Sequence, residues 1–175
     1  MAANLEGMLL AAGLGTRMGP LSQVLPKPAW PLGGRPLLQW SAESFRGAGL
    51  HALACNAHLH PEALRAAAAG IEVFVEPHLL GSAGGLLHLR GRVDGAFLTW
   101  NADGIGTPPW AHLKAQHQAS GADLSWLLVH HPGGPWTQVW LDGAGRVLPR
   151  GETGEGPYLF KIGRASCRER VCQYV

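Results

Sequence analysis

A glycine-rich loop directly after an apolar run is the feature that most limits how this chain can fold. Residues 7–12 are short and almost wholly apolar, and residues 13–21 then read Gly-Leu-Gly-Thr-Arg-Met-Gly-Pro-Leu. A continuous apolar run of this length is typical of a strand that is buried on both faces of a parallel sheet. Gly13 and Gly15 allow the backbone to approach a ligand closely and to turn N–H groups toward an anion. The sequence therefore predicts a buried strand that ends in an anion-binding loop.

Two common phosphate-binding patterns are excluded by the residues of this loop. The dinucleotide-binding fingerprint requires a third glycine where this chain has Met18, and an acidic residue about 20 positions further on, which is missing. A Walker loop ends in Gly-Lys-Ser or Gly-Lys-Thr, and neither sequence follows Gly15. The loop either binds an anion in another arrangement or is only a tight strand-to-helix turn.

Two cations accompany the loop. Arg17 carries a guanidinium that can bind two phosphate oxygens at once. Lys27 lies between Pro26 and Pro28, and both prolines stiffen the backbone that presents its ammonium. A glycine loop with two fixed cations can hold a triphosphate while one phosphorus is attacked. The pattern predicts a nucleotide-handling enzyme.

Short apolar runs alternate with helical stretches along most of the chain, and this alternation favours an α/β sheet with helices on its faces. The predicted strands are residues 7–12, 50–56, 71–75, 96–100, 123–129, 137–141, 146–148 and 157–161. The predicted helices are residues 37–46, 61–69, 83–89 and 108–120. We therefore predict a three-layer α/β/α Rossmann-like fold with a mixed, mainly parallel sheet.

Length and composition indicate an ordinary globular domain. The 175 residues suit a single domain, and 46% apolar with 15% charged residues is typical of a folded chain. No apolar run is long enough to cross a bilayer, and the first residues lack a signal-type segment. The expected location is cytoplasmic, with no membrane partner.

The last residues differ abruptly from the rest. Residues 162–171 read Ile-Gly-Arg-Ala-Ser-Cys-Arg-Glu-Arg-Val and resemble the in-frame translation of a sequencing-library adapter. We therefore expect a nucleotidyltransferase-type domain over residues 1–161 and a non-native tail over residues 162–175. Leaving out the tail removes three arginines and one glutamate, so the formal charge falls from +2 to zero. That balance gives no reason to expect a nucleic-acid partner; a genuine basic tail is the alternative.

Residues 9–21 followed by 26–28 resemble the signature of the sugar-1-phosphate nucleotidyltransferases, also called nucleotide-sugar pyrophosphorylases. That signature runs L-A-A-G-x-G-T-R-M-x-P-L and then P-K-P, and every fixed position is present. Residues 80–86 resemble the family's second, nucleoside-side loop, and residues 101–103 resemble its strand-end N-x-D. The resemblance implies a fold of the nucleotide-diphospho-sugar transferase type. Because family members have a second carboxylate further along than residue 161, it also implies a fold truncated at the carboxyl end.

The resemblance further implies a division of the site between two substrates. Nucleotide contacts are expected from both loops and from the end of the third strand, at Leu10, Ala11, Ala12, Gly13, Gly15, Thr16, Arg17, Glu76, Gly81, Ser82, Ala83 and Gly84. Sugar-phosphate contacts are expected from Lys27, Asn56 and Asn101, and the expected catalytic residues are Arg17, Lys27 and Asp103. For Glu76, a solvated charge at the strand end is the alternative.

A magnesium site is expected at Asp103. The resemblance implies that this carboxylate binds Mg²⁺, and its place after a predicted parallel strand is where open α/β sheets bind ligands. A turn-forming aspartate before Gly104 is the alternative.

The activity implied is transfer of a nucleotidyl group from a nucleoside triphosphate, UTP or GTP, to a sugar-1-phosphate. Compactness and residues 56–58 lean toward the N-acetylmuramate-1-phosphate uridylyltransferase and mannose-1-phosphate guanylyltransferase-like members. A cytidylyl or molybdopterin guanylyl transferase is a more distant alternative. A non-catalytic nucleotide-binding or regulatory domain remains open as well. The sequence does not indicate an oligomeric state.

Overall fold

The structure, a computed structural model, describes residues 4–130, 138–149 and 151–166. Contacts divide the chain after Pro108 into two compact units. Part of the predicted non-native tail, residues 167–175, lies outside the described residues. None of the helices in the described ranges is long and apolar enough to cross a membrane.

The first unit contains a four-stranded parallel sheet in the order β5-β4-β1-β6 and a separate antiparallel pair, β2 and β3. Its strands are β1 Gly7–Leu10, β2 Pro31–Leu32, β3 Arg35–Pro36, β4 Leu53–Ala57, β5 Glu72–Val75 and β6 Phe97–Asn101. Its α-helices are α1 Leu37–Gly47, α2 Pro61–Ala67 and α3 Gly81–Gly85. Three 3-10 helices cover Thr16–Gln23, Lys27–Ala29 and Leu86–Leu89. The predicted α/β fold with parallel strands is confirmed.

Strand β1 is central because it pairs on both sides. Gly7 is in register with Leu53 of β4 and with Leu98 of β6. Met8 and Leu9 are fully buried, as expected for a strand covered on both faces. All four strands run the same way, so the segments that follow them meet at one edge of the sheet.

Helix α1 packs one face against this sheet. Its buried residues, Leu38, Ser41, Ala42 and Phe45, recur at helical spacing. A β-carbon on Gly7 would lie 2.9 Å from the Phe45 ring, so the glycine at the start of β1 permits this close approach.

The second unit contains α4 Trp110–Ser120, β7 Leu124–His130, β8 Gln138–Leu141 and β9 Glu155–Ser166. Strand β9 pairs antiparallel with both β7 and β8. The hairpin predicted for residues 137–148 is wrong in its partner, because β8 pairs with β9 and Val147 makes only an isolated bridge to Leu141. The predicted turn itself forms, since Asp142 Oδ1 accepts the N–H groups of Ala144 and Arg146.

Candidate functional site

A cavity of about 390 Å³ opens at the carboxyl ends of β1, β4 and β6 in the first unit. This volume lies within the range of small-molecule sites. Most of the residues predicted for the site line it: Leu10, Ala11, Ala12, Gly13, Gly15, Thr16, Arg17, Lys27, Asn56, Gly81, Ser82, Asn101 and Asp103. The structure therefore brings both predicted loops and the strand-end Asn101–Asp103 segment to one cavity.

Three of the predicted residues, Glu76, Ala83 and Gly84, do not line the cavity. A β-carbon on Gly84 would lie 2.6 Å from Leu80 Cβ, so that face of α3 turns toward its own first residues. Conversely, sequence reasoning missed four residues that do line it: Leu14, Met18, Pro28 and Leu79. These side chains carry no reactive or charged group, so only their place in the loops could have indicated them.

The two glycines of the loop differ in why glycine is needed. Gly15 has φ 62°, in the left-handed region that other residues rarely adopt. Gly13 does not have a positive φ, and a β-carbon there would meet no atom within 4 Å. Backbone geometry therefore accounts for Gly15. Open space beside Gly13, in the wall of the cavity, is where a ligand could approach the main chain.

The Arg17 side chain is exposed at the rim of the cavity. It lies in the first turn of the 3-10 helix Thr16–Gln23, which begins directly after Gly15. Within the described part of the chain, Arg17 has no ion-pair or hydrogen-bond partner. Its guanidinium is therefore available to phosphate oxygens.

Lys27 and Asp103 meet in the cavity. The Lys27 ammonium lies 2.5 Å from Asp103 Oδ2, and the side chains are 41% and 29% exposed. Lys27 opens the short 3-10 helix Lys27–Ala29, and its preceding residue Pro26 is extended, with φ −66° and ψ 142°. The cation and the carboxylate that the sequence assigned to separate tasks are thus direct neighbours.

The turn that carries Asp103 is fixed from behind by α1. Ser41 is fully buried, and its hydroxyl donates to the Gly104 carbonyl at 2.8 Å. A β-carbon on Gly104 would lie 2.6 Å from the Trp100 ring, so the turn passes directly over that indole. Ser41 is a further residue that sequence reasoning missed, because only the packing of α1 shows its role.

Asn56 joins the first loop to the rest of the site. Its Oδ1 accepts the N–H groups of Ala11 at 2.7 Å and Ala12 at 3.3 Å. These bonds explain why β1 ends at Leu10 and not at Ala12 as predicted: Ala11 and Ala12 donate to a side chain instead of to a neighbouring strand.

Glu76 is buried beneath the cavity, and the alternative of a solvated strand-end charge is wrong. Only 1% of the residue is exposed. Its Oε1 accepts from Asn56 Nδ2 at 2.7 Å, and its Oε2 accepts the Leu80 N–H at 3.1 Å. Two hydrogen bonds to the charged form offset part of the cost of burying this carboxylate.

Among the described residues that line the cavity, Asp103 is the only one with a carboxylate. No group of three His, Cys, Asp or Glu side chains in the described ranges is arranged to hold a metal ion. A single carboxylate still fits Mg²⁺, which takes one or two protein carboxylates and completes its shell with phosphate oxygens and water.

A parallel sheet with a glycine loop, two cations and a carboxylate at its carboxyl edge defines an α/β nucleotide-binding protein. The chain belongs to the MobA-like NTP transferase domain family, whose sequence profile matches residues 7–171. The likeness to sugar-1-phosphate nucleotidyltransferases read from the sequence is confirmed by its relatives.

Two relatives illustrate the likeness in sequence. The chain is 31% identical over 128 residues to the mannose-1-phosphate guanyltransferase of Aspergillus fumigatus, covering 67% of this chain and 35% of that protein. It is 29% identical over 134 residues to the mannose-1-phosphate guanylyltransferase of Mycobacterium tuberculosis, covering 72% of this chain and 37% of that protein. The chain thus spans about a third of the length of the curated relatives it matches.

Two solved structures share the fold. HddC from Yersinia pseudotuberculosis, in a crystal structure complexed with GMP-PN, superposes with a TM-score of 0.75 at 18% identity, over 94% of this chain and 77% of HddC. A putative glucose-1-phosphate thymidylyltransferase from Bacillus anthracis superposes with a TM-score of 0.73 at 12% identity, over 94% and 72%. The predicted nucleotide-diphospho-sugar transferase type of fold is confirmed.

Proposed function

We propose that this chain carries the nucleotide half of an enzyme that transfers a nucleotidyl group from a nucleoside triphosphate to a sugar-1-phosphate. The observation that supports this most is the shared cavity, in which Arg17, Lys27 and Asp103 lie with the backbone of the glycine loop. Two anionic substrates repel each other, and cations at fixed positions offset that repulsion. A purely regulatory nucleotide-binding domain has no need of a second cation beside a carboxylate.

The proposed reaction is a direct displacement. An oxygen of the sugar-1-phosphate forms a bond to the α-phosphorus, the bond from that phosphorus to the bridging oxygen breaks, and pyrophosphate leaves with the electron pair. No protein nucleophile is needed, because the attacking group is already an anion. Arg17 is assigned to the leaving phosphates and Lys27 to the charge that develops at the reacting phosphorus.

Asp103 is proposed to hold Mg²⁺ together with phosphate oxygens. When bound, the metal supplies charge neutralisation at the phosphates. Lys27 now bonds the same carboxylate, so we infer that its ammonium shifts toward the substrate phosphates when the metal is present.

The remaining assignments follow the two sides of the cavity. The loop after β1 and the segment at Gly81 and Ser82 are proposed to bind the nucleotide, and Asn101 the sugar phosphate. GTP and mannose-1-phosphate are the first substrates to test, because relatives are named for that guanylyl transfer, with UTP as the second nucleotide. Residues 1–161 are proposed as the native domain, acting in the cytoplasm.

Pyrophosphate release tests this proposal. The chain is incubated with Mg²⁺, each of GTP, UTP, CTP and ATP, and mannose-1-phosphate or N-acetylmuramate-1-phosphate. We expect release with one nucleotide only and only when a sugar phosphate is present. Lys27→Ala should lower turnover by about 10²–10³-fold with a modest change in nucleotide affinity. The matched control is Lys114→Ala, an exposed lysine on α4 of the second unit.

Binding measured by calorimetry separates the alternatives. Nucleotide binding without turnover, unchanged in Lys27→Ala, would favour the non-catalytic domain. Turnover that survives Lys27→Ala would overturn the role of this lysine.

A further inference from the structure

Two buried side chains lie between the two loops of the cavity and bond to both. Asn56 accepts the N–H groups of Ala11 and Ala12, while Glu76 accepts the Leu80 N–H at the start of α3. The two side chains bond each other, Asn56 Nδ2 to Glu76 Oε1, at 2.7 Å. We call this pair the Asn56–Glu76 bridge. It spans from the end of β1 to α3 through side-chain atoms alone.

We propose that Asn56 and Glu76 are positioning residues, which hold the glycine loop and the α3 segment at a fixed separation so that the nucleotide cavity is formed before any ligand enters. Both residues are almost fully buried, at 3% and 1% exposure. Glu76 does not line the cavity, so it acts through the two backbone segments and not by contact with a substrate. A preformed cavity lowers the ordering cost of binding.

The donors and acceptors of the bridge fit in one orientation. A carboxylate only accepts, so Glu76 requires the Asn56 amide nitrogen to face it. The Asn56 oxygen is then directed at the first loop, where two N–H groups need an acceptor. The Ala11 and Ala12 N–H groups are consequently occupied, and a ligand must use other groups of the loop.

Neighbouring residues enclose the bridge. A β-carbon on Gly85 would lie 2.5 Å from Asn56 Nδ2 and 3.0 Å from Glu76 Oε1, so α3 packs directly on the pair. His88 Nε2 is buried 3.9 Å from Glu76 Oε1, too far for a hydrogen bond, and its ring stacks on Phe74 at 5.1 Å. Exclusion of water around the pair strengthens its hydrogen bonds.

Exchange of the two functional groups tests the bridge. Asn56→Asp alone sets two carboxylates against each other, and Glu76→Gln alone leaves one hydrogen bond with two donors or two acceptors. In the double variant N56D/E76Q, the carboxylate introduced on β4 can accept from Ala11, Ala12 and the new amide, whose oxygen can accept the Leu80 N–H. The double variant therefore restores every bond with the polarity of the central one reversed. Glu72→Gln is the matched control, a surface carboxylate on the neighbouring strand β5 that pairs with Arg92.

Amide hydrogen exchange is the first readout, because it does not depend on any activity. The Leu80 N–H should be protected in the wild-type chain, as should those of Ala11 and Ala12. Each single variant should exchange at these three amides about tenfold faster or more, and the double variant should return to within about threefold of wild type. Unprotected amides in the wild type, or no recovery in the double variant, would overturn the proposal, and the wild-type measurement decides even where a single variant does not fold.

Kinetics give the second readout, which alone rests on the proposed function. Loosened loops should raise KM for the nucleotide about tenfold with a smaller change in kcat, and the double variant should recover KM. A loss in kcat as large as the rise in KM, without rescue, would indicate general damage to the fold and contradict positioning. A wild-type chain without turnover would instead contradict the proposed function, and amide exchange would still decide the bridge.

Discussion

The Lys27 ammonium and the Asp103 carboxylate, 76 positions apart in sequence, lie 2.5 Å from each other in the cavity. A cation meant for phosphate and a carboxylate meant for a metal therefore neutralise each other in the free protein. Substrate and metal together can replace each partner with a new one, so binding of the two should be coupled.

Loss of this ion pair should cost little stability. Both side chains are partly exposed, and surface ion pairs of this kind contribute about 0–1 kcal/mol. Lys27→Ala and Asp103→Asn should each change the free energy of unfolding by less than about 1 kcal/mol, measured by urea denaturation. A loss of several kcal/mol in either variant would show that the pair is structural.

Alanine at the two loop glycines should separate ligand contact from backbone strain. Gly13→Ala should leave the unfolding midpoint unchanged, because neither φ nor neighbouring atoms oppose a β-carbon, while nucleotide KM rises about tenfold through contact with the ligand. Gly15→Ala should cost about 1–2 kcal/mol of stability, since its φ is 62°. Thermal unfolding and nucleotide titration of both variants check this; an unchanged KM in Gly13→Ala would rule out close approach at that residue.

Alanine at Gly85 should disturb both loops at once. Its β-carbon would lie 2.5 Å from Asn56 Nδ2, and this side chain is held by three hydrogen bonds. Overpacking of this kind costs about 1–3 kcal/mol, measurable by urea denaturation. Gly47→Ala is the control, because a β-carbon there meets nothing within 4 Å. Equal stability of the two variants would contradict the contact.

Acid should destabilise the second unit through His117. This histidine is buried on α4, with Nδ1 3.0 Å from the Ser125 hydroxyl. Burial lowers its pKa, and the nearby Asp123 carboxylate opposes that shift only in part. Below about pH 6.5, the ordinary histidine pKa, the unfolded chain takes up the proton first, so stability falls until the pH reaches the lowered folded pKa.

The variant His117→Gln should flatten this dependence on pH. His112→Gln, an exposed position on the same helix, should leave it unchanged. Unfolding free energies between about pH 5 and 8, measured by urea denaturation, provide the check. The same slope in His117→Gln as in the wild type would show that another group causes the acid sensitivity.

The sequence predicted the parallel strands and most of the cavity, because apolar runs mark buried strands and loops after parallel strands share an edge. It did not predict that Glu76 turns inward, since its partners Asn56 and Leu80 come together only through the pairing of β4 and β5. The helix expected at residues 83–89 instead forms as α3 and a following 3-10 helix. Glycines at its start, which lower helix propensity, give a physical reason.

The pairing of β1 also sets an order of events during synthesis. This strand is made first, yet its partners on one side are residues 98–101 of β6, made long after it. Until then its buried face has only β4 beside it, and long-range parallel pairing forms slowly. A ribosome-bound chain stopped before β6 should therefore present β1 as an open edge to chaperones, whereas one extended past Asp103 can close the sheet and the cavity together.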